Sequence, residues 1–97
     1  MPTHKAVVKA SVGLHARPAA VFVRAVTETG LPVTISKAGT PDVDARSLLQ
    51  VMAADFQQGC KVELGISDAA LHGALGRQRA EDALRALGEL LESQGTA

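Results

Sequence analysis

The stretch Lys61-Val62-Glu63-Leu64-Gly65-Ile66 carries the strongest strand signal in the sequence. Its apolar residues Val62, Leu64 and Ile66 are expected to face inward, and the residues between them, including Gly65, to face outward. This alternation matches a β-strand, because side chains in a strand repeat every two residues. A strand with one apolar face pairs most often in an antiparallel sheet whose other face is solvated. This stretch therefore predicts an antiparallel sheet that is covered on one face.

Three further strands are predicted toward the N-terminus. Ala6 and Val8 alternate with neighbours that point the other way, and Val33 and Ile35 repeat this pattern later in the chain. A short strand is expected around Val43, after a run of turn-forming residues. Each strand has one apolar face, so the four strands are expected to share one sheet.

Three helices are predicted between and after these strands. The first has Pro18 in its first turn, where a missing amide proton costs little, and ends at Gly30. The second is short and apolar, opened by Ser47 and broken by residues 57–59, and the third ends near Gly95. The apolar faces expected are Pro18, Ala19, Phe22, Val23 and Val26 in the first helix, and Ala80, Ala83, Leu84, Leu87, Leu90 and Leu91 in the third. Together the elements predict a two-layer α+β sandwich.

Residues 67–76, between the last strand and the last helix, predict an extra helical turn. Ser67 or Asp68 can cap such a turn, because their side-chain oxygens accept bonds from backbone amides. We expect Ala70, Leu71 and Ala74 to be buried there. We therefore expect residues 67–76 to contribute to the fold rather than to the chemistry.

The composition argues against several classes of function. Ten basic residues balance ten acidic ones, and the two Phe residues are too few for a base-stacking platform, so we expect no nucleic-acid partner. Cys60 is the only cysteine, which excludes an internal disulfide and a thiol zinc cluster. No apolar run reaches membrane-spanning length, and the first ten residues lack an apolar signal core. We expect one domain over residues 1–97, in the cytoplasm and without membrane insertion.

His15 stands where a loop meets a helix start, within Gly13-Leu14-His15-Ala16-Arg17-Pro18-Ala19-Ala20. Helix N-terminal amides attract anions, and a neutral imidazole nitrogen is a nucleophile, so a phosphoryl group on this ring would meet those amides. Arg17 can place its guanidinium beside the same oxygens. By spacing alone a solvated or capping histidine is the simpler interpretation. No carboxylate, serine or second histidine has a recognisable spacing from His15, so the sequence supports neither a hydrolytic triad nor a metal site.

Two segments resemble the HPr family, the histidine-containing phosphocarriers of the bacterial phosphoenolpyruvate:sugar phosphotransferase system. Gly13-Leu14-His15-Ala16-Arg17-Pro18-Ala19 is similar to the family's active-site signature. Val43-Asp44-Ala45-Arg46-Ser47-Leu48-Leu49-Gln50-Val51-Met52 is similar to the segment around its regulatory serine. Chain length, element order and the closing Leu-rich helix agree as well, so the resemblance spans nearly the whole chain.

The resemblance implies an open-faced two-layer sandwich, with a four-stranded antiparallel sheet and three helices on one face. It implies that enzyme I passes a phosphoryl group to Nδ1 of His15 and that the group then goes to a sugar-specific enzyme IIA. Such a protein is an intermediate of phosphotransfer rather than a stand-alone catalyst, and we expect a monomer with no cofactor and no metal. A paralogue with a regulatory or nitrogen-branch role is the main alternative. A small enzyme using His15 as general base is another.

The expected partner surface combines two helices. Ala16, Ala20, Arg24 and Thr27 follow at helical spacing in the first helix. Leu48, Leu49 and Met52 in the short helix match family partner-contact positions, whereas Val51 is expected in the core.

Ser47 resembles the serine that a dedicated kinase phosphorylates in many Gram-positive relatives, and it is equally well explained as a helix N-cap. Asp55 departs from the family pattern, because it replaces a glycine and leaves the form of the local turn open.

Overall fold

The computed structural model describes residues 1–96, and within them an antiparallel sheet is packed against helices. The strands are β1 (Thr3–Val7), β2 (Val33–Lys37), β3 (Val43–Asp44) and β4 (Lys61–Ile66). The helices are α1 (Ala16–Thr29), α2 (Leu48–Ala53) and α3 (Gly73–Ser93), with short 3-10 turns at Asp68–Ala70 and Gln94–Thr96. The strand order is β1-β4-β2-β3, and every pairing is antiparallel. The predicted α+β open-faced sandwich is therefore confirmed.

β4 lies inside the sheet, where it pairs with β1 on one side and β2 on the other. Val62, Leu64 and Ile66 are buried as their alternation predicts. Gly65 is buried too, so its predicted exposure is wrong. The reason is the Met1 side chain, which lies so close that a Cβ on Gly65 would come within 2.8 Å of its Cε.

The helices fill the covered face of the sheet with a core that is almost wholly aliphatic. Ala19, Phe22 and Val26 of α1 are buried, while Pro18 and Val23 are only half-buried. In α3 the buried residues are Ala80, Leu84, Leu87, Gly88 and Leu91, and the predicted Ala83 and Leu90 are half-buried at the margin of this stripe. α3 ends at Ser93, close to the predicted end.

The segment before α3 forms the predicted extra turn. The Ser67 hydroxyl accepts a hydrogen bond from the Ala69 amide at 3.3 Å and so caps the 3-10 turn. Ala70 and Leu71 pack half-buried against the core. Ala74 is exposed, contrary to prediction, because the buried stripe of α3 begins only at Ala80.

The loop before α1 is joined to the turn after α2 by a backbone contact. The Leu14 amide donates to the Phe56 carbonyl at 2.8 Å, and both side chains are buried. Gly13 has φ 72°, and a Cβ there would lie 2.6 Å from the Phe56 oxygen. α2 ends at Ala53, earlier than the predicted break at 57–59, because Asp55 takes a left-handed conformation with φ 57°.

Gly13→Ala is expected to lower the free energy of unfolding by about 2–5 kcal/mol. About 1–2 kcal/mol comes from placing an alanine at a left-handed φ, and the rest from pushing back the Phe56 carbonyl. Gly39→Ala is the matched control, since Gly39 has φ 84° but nothing lies within 4 Å of the point that an added methyl group would occupy. Urea unfolding of both variants tests this, and equal losses would mean that the close approach at Gly13 carries no cost of its own.

Candidate functional site

His15 occupies the N-cap position of α1. Its backbone is extended, with φ −130° and ψ 162°, and its side chain makes no capping hydrogen bond. Ala16, the first residue of the helix, has φ 50°, a left-handed value that is unusual for a residue with a Cβ. The His15 side chain is 34% exposed. The structure therefore argues against a capping role and leaves the ring accessible at the N-terminus of a 14-residue helix.

A carboxylate accompanies this histidine, although none was predicted from the sequence. Asp55 Oδ1 lies 2.9 Å from His15 Nε2. The two residues are far apart in the chain, and the contact between Leu14 and Phe56 brings them together. The signal available in the sequence was the Asp55 departure from the family glycine, because aspartate is among the few residues that tolerate a left-handed turn.

Two neighbouring side chains donate hydrogen bonds to Asp55, one to its carboxylate and one to its backbone carbonyl. The Gln57 side-chain amide donates to Oδ2 at 3.0 Å, and the Lys37 ammonium donates to the Asp55 backbone carbonyl at 3.0 Å. The Lys37 ammonium also lies 5.6 Å from the centre of the Phe56 ring. Hydrogen bonds from Gln57 and then from His15 lower the pKa of the Asp55 carboxyl below its ordinary value, and the charges of His15 and Lys37 act in the same direction. The residue is thus kept as a carboxylate facing the ring.

Arg17 lies in the first turn of α1, two residues beyond His15. It is exposed, and over residues 1–96 it forms no ion pair. Its predicted contact with the oxygens of a phosphoryl group on His15 stays a prediction.

Comparison with protein families bears directly on this site. The family profile described as "PTS HPr component phosphorylation site" matches residues 2–93. The chain belongs to the HPr family.

Related proteins support the same assignment. The phosphocarrier protein HPr of Streptomyces coelicolor is 48% identical over 65 residues, which cover 67% of this chain and 70% of that protein. The crystal structure of HPr-C-His from Thermoanaerobacter tengcongensis has a TM-score of 0.80 and 29% identity, covering 100% of this chain and 98% of that one. An HPr structure from Bacillus anthracis has a TM-score of 0.68 and 29% identity, and the match covers 91% of this chain and 93% of that one. This HPr-family chain is a phosphocarrier of the phosphotransferase system.

The residues predicted for partner contact in this HPr-family chain lie largely on its surface. Ala16, Ala20, Arg24 and Thr27 of α1 are all exposed, with Arg24 Nε 3.6 Å from Glu28 Oε2. In α2, which packs beside α1, Leu49 is 80% exposed and Leu48 39%. Met52 is half-buried against the core, and Val51 is buried as predicted. Val21 is 44% exposed and was not singled out from the sequence, although it adds apolar area to α1.

Ser47 is the N-cap of α2. Its hydroxyl accepts a hydrogen bond from the Gln50 amide at 3.2 Å, which satisfies a backbone donor that the helix leaves free. The helix-cap interpretation is confirmed by this bond. Phosphorylation of Ser47 by a serine kinase stays a prediction, and it would place about two negative charges at the start of α2, where the helix amides favour them.

The surface around His15 bears on the alternative of a small enzyme using this residue as general base. A hollow of about 470 Å³ on the open face of the sheet is lined by residues such as Lys5, Ser36 and Glu63, and His15 is not among them. A second hollow of about 430 Å³ reaches Asp55 and Gln57 but not His15. A general base would need a pocket with converging polar groups at the ring, and neither of these two hollows includes His15.

Membrane insertion was not expected from the sequence. No helix within residues 1–96 has the length and apolar character that crossing a bilayer requires. Over the same residues, no three His, Cys, Asp or Glu side chains are grouped as they would be around a metal ion.

Gln57→Ala is expected to raise the pKa of Asp55 toward its ordinary value, because the first of the bonds that hold it down is lost. A carboxyl whose pKa is depressed by folding contributes its stability above the unfolded value, and that contribution disappears as the pH falls through the folded value. An NMR titration of the Asp55 carboxyl carbon measures the shift. Gln58→Ala is the control, since the Gln58 amide contacts the Lys9 carbonyl instead. The attribution fails if both variants titrate like the parent protein.

Proposed function

We propose that residues 1–97 form one cytoplasmic phosphocarrier domain that accepts a phosphoryl group on Nδ1 of His15 and passes it on. The observation that carries this proposal is the half-exposed ring at the start of α1, with Nε2 engaged by Asp55. Among the described residues Nδ1 has no hydrogen-bond partner, so its lone pair is available. A carrier site must be open in this way because two different proteins have to reach the same atom.

The transfer needs a nucleophile and little else from the carrier. The Nδ1 lone pair attacks phosphorus, the new N–P bond forms, and the donor's bond to phosphorus breaks with its electron pair returning to the donor. The product is a phosphoramidate, whose phosphoryl group can leave again by the reverse chemistry. The amides at the start of α1 favour the negative charge of the bound group.

Arg17 serves this transfer rather than the fold. Its exposed guanidinium lies in the same helical turn as the His15 ring and can bind two phosphoryl oxygens in parallel. A contact to a charged group that strengthens in the transition state is worth about 1.5–3 kcal/mol. Such a contact speeds transfer without holding the phosphoryl group as tightly as a structural site does.

Enzyme I is the proposed donor, and a sugar-specific enzyme IIA the proposed acceptor, so that transfer is coupled to sugar uptake. The two partners use in turn the same surface, made of the exposed α1 residues around Arg24 and the exposed leucines of α2. The chain acts as a monomer, which leaves this surface free between encounters. Its apolar centre and basic margin match the composition of transient protein interfaces.

His15→Ala is expected to abolish phosphorylation while leaving the fold intact, because the ring makes no capping bond that α1 depends on. The measurement is protein mass after incubation with phosphoenolpyruvate and enzyme I, and the added group should be labile in acid and stable in alkali. His72→Ala is the matched control, since His72 is the N-cap of α3 and likewise makes no side-chain capping bond. Normal phosphorylation of the His15 variant would overturn the site assignment.

Leu49→Ala is expected to weaken binding of enzyme I by about 1–2 kcal/mol, or roughly tenfold, because less apolar area is removed from water in the complex. Leu75→Ala is the control, since Leu75 in α3 is 82% exposed and Leu49 is 80% exposed. Calorimetric titration of each variant with enzyme I gives the affinities. If the two variants lose the same affinity, α2 is not part of the docking surface.

A further inference from the structure

The conformation of Asp55 holds its carboxylate at the His15 ring. The residue follows α2, with φ 57°, and its backbone amide donates to the Met52 carbonyl at 3.2 Å. Oδ1 then lies 2.9 Å from His15 Nε2. This turn is built from backbone bonds that do not involve the histidine, so the carboxylate is in place before the ring reacts.

The carboxylate is also oriented independently of the histidine. Gln57 donates to Oδ2, the oxygen that does not face the ring, and Lys37 donates to the backbone carbonyl of the same residue. These contacts fix both the rotation of the carboxylate and the position of the backbone that carries it. A carboxylate held in this way presents one oxygen as a stationary acceptor to a ring N–H.

We infer that Asp55 is a positioning residue for phosphoryl transfer: it holds His15 in the tautomer protonated at Nε2 and so directs the lone pair of Nδ1 to the incoming phosphorus. The inference rests on the proposed function and adds a residue to it. A neutral imidazole carries one proton, and a carboxylate accepting from Nε2–H leaves the other nitrogen as the nucleophile.

The same carboxylate acts on the charge that develops during transfer. When Nδ1 forms its bond to phosphorus, the electron pair comes from the ring, the Nε2 proton stays in place, and the ring becomes positive. The donor keeps the electron pair of the bond that breaks, so no further reactant is needed. Asp55 at 2.9 Å from Nε2 lowers the energy of the positive ring as it forms. The effect also operates when the phosphoryl group leaves, because the transition state is shared.

Two substitutions at Asp55 separate tautomer control from charge. Glycine and asparagine both tolerate φ 57°, so neither variant should strain the turn. Asp55→Asn keeps an oxygen that can accept from Nε2–H and removes the charge, while Asp55→Gly removes both. Asp42→Gly is the control for loss of one exposed carboxylate, because Asp42 lies in the exposed loop before β3.

The first measurement does not depend on any partner. Nitrogen-15 NMR of the His15 ring at pH about 9, where imidazole is neutral, reports which nitrogen carries the proton. We expect the parent protein, Asp55→Asn and Asp42→Gly to show the Nε2–H form, and Asp55→Gly to show a mixture of the two forms.

The second measurement is the rate of His15 phosphorylation by enzyme I and phosphoenolpyruvate. We expect Asp55→Gly to be slower by about three- to tenfold, a modest factor because the pair is partly exposed to solvent. Asp55→Asn should lie between Asp55→Gly and the parent, and Asp42→Gly should match the parent.

The outcomes distinguish this inference from the function on which it rests. If the parent protein is not phosphorylated on His15, the proposed function fails, whatever the tautomer measurement shows. If the parent is phosphorylated and Asp55→Gly keeps both the Nε2–H tautomer and the parent rate, the role of Asp55 is overturned and the carrier function stands. A slower Asp55→Gly with an unchanged tautomer would also overturn it, because the carboxylate would then act only on the charge of the ring and would not set the tautomer.

Discussion

The backbone hydrogen bond from the Leu14 amide to the Phe56 carbonyl is the contact on which the site depends. Both side chains are buried, so neither polar group has water as an alternative partner, and separating them would leave two unsatisfied groups in the core. The bond joins two segments about forty residues apart, one leading into α1 and the other leaving α2. His15 directly follows Leu14 and Asp55 directly precedes Phe56, so this bond brings the His15–Asp55 pair together.

The buried residues that hold the site together are different from the surface residues that form it. The sheet and the aliphatic core anchor Leu14 and Phe56, while Arg17 and Asp55 are exposed and His15 is half-buried. An enzyme that completes its own reaction must exclude water, whereas a carrier shares its reactive atom with the sites of its partners. The exposure of the site is compatible with the proposed carrier function, in which partner proteins would supply the rest of each active site.

Sequence reasoning succeeded where the information is local. The alternation in β4, the apolar stripe of α1 and the cap at Ser47 each lie within a few residues, and the structure reproduces them. It failed where a distant segment decides the outcome, since Met1 buries Gly65. The carboxylate beside His15 was missed for the same reason, because no local pattern encodes a contact made through a left-handed turn forty residues away. The family was predicted correctly from two motifs, whereas the carboxylate beside His15 was not predicted.

The left-handed turn at Asp55 also restricts how this site can evolve. Glycine, asparagine and aspartate are the residues that accept such a backbone most readily, so drift at this position is confined to a small set. Single-base changes convert an aspartate codon to either of the other two. A lineage can thus gain or lose the carboxylate beside His15 without passing through a poorly folded ancestor. The backbone geometry at position 55 therefore lets selection change the side chain that contacts His15 while the rest of the fold stays the same.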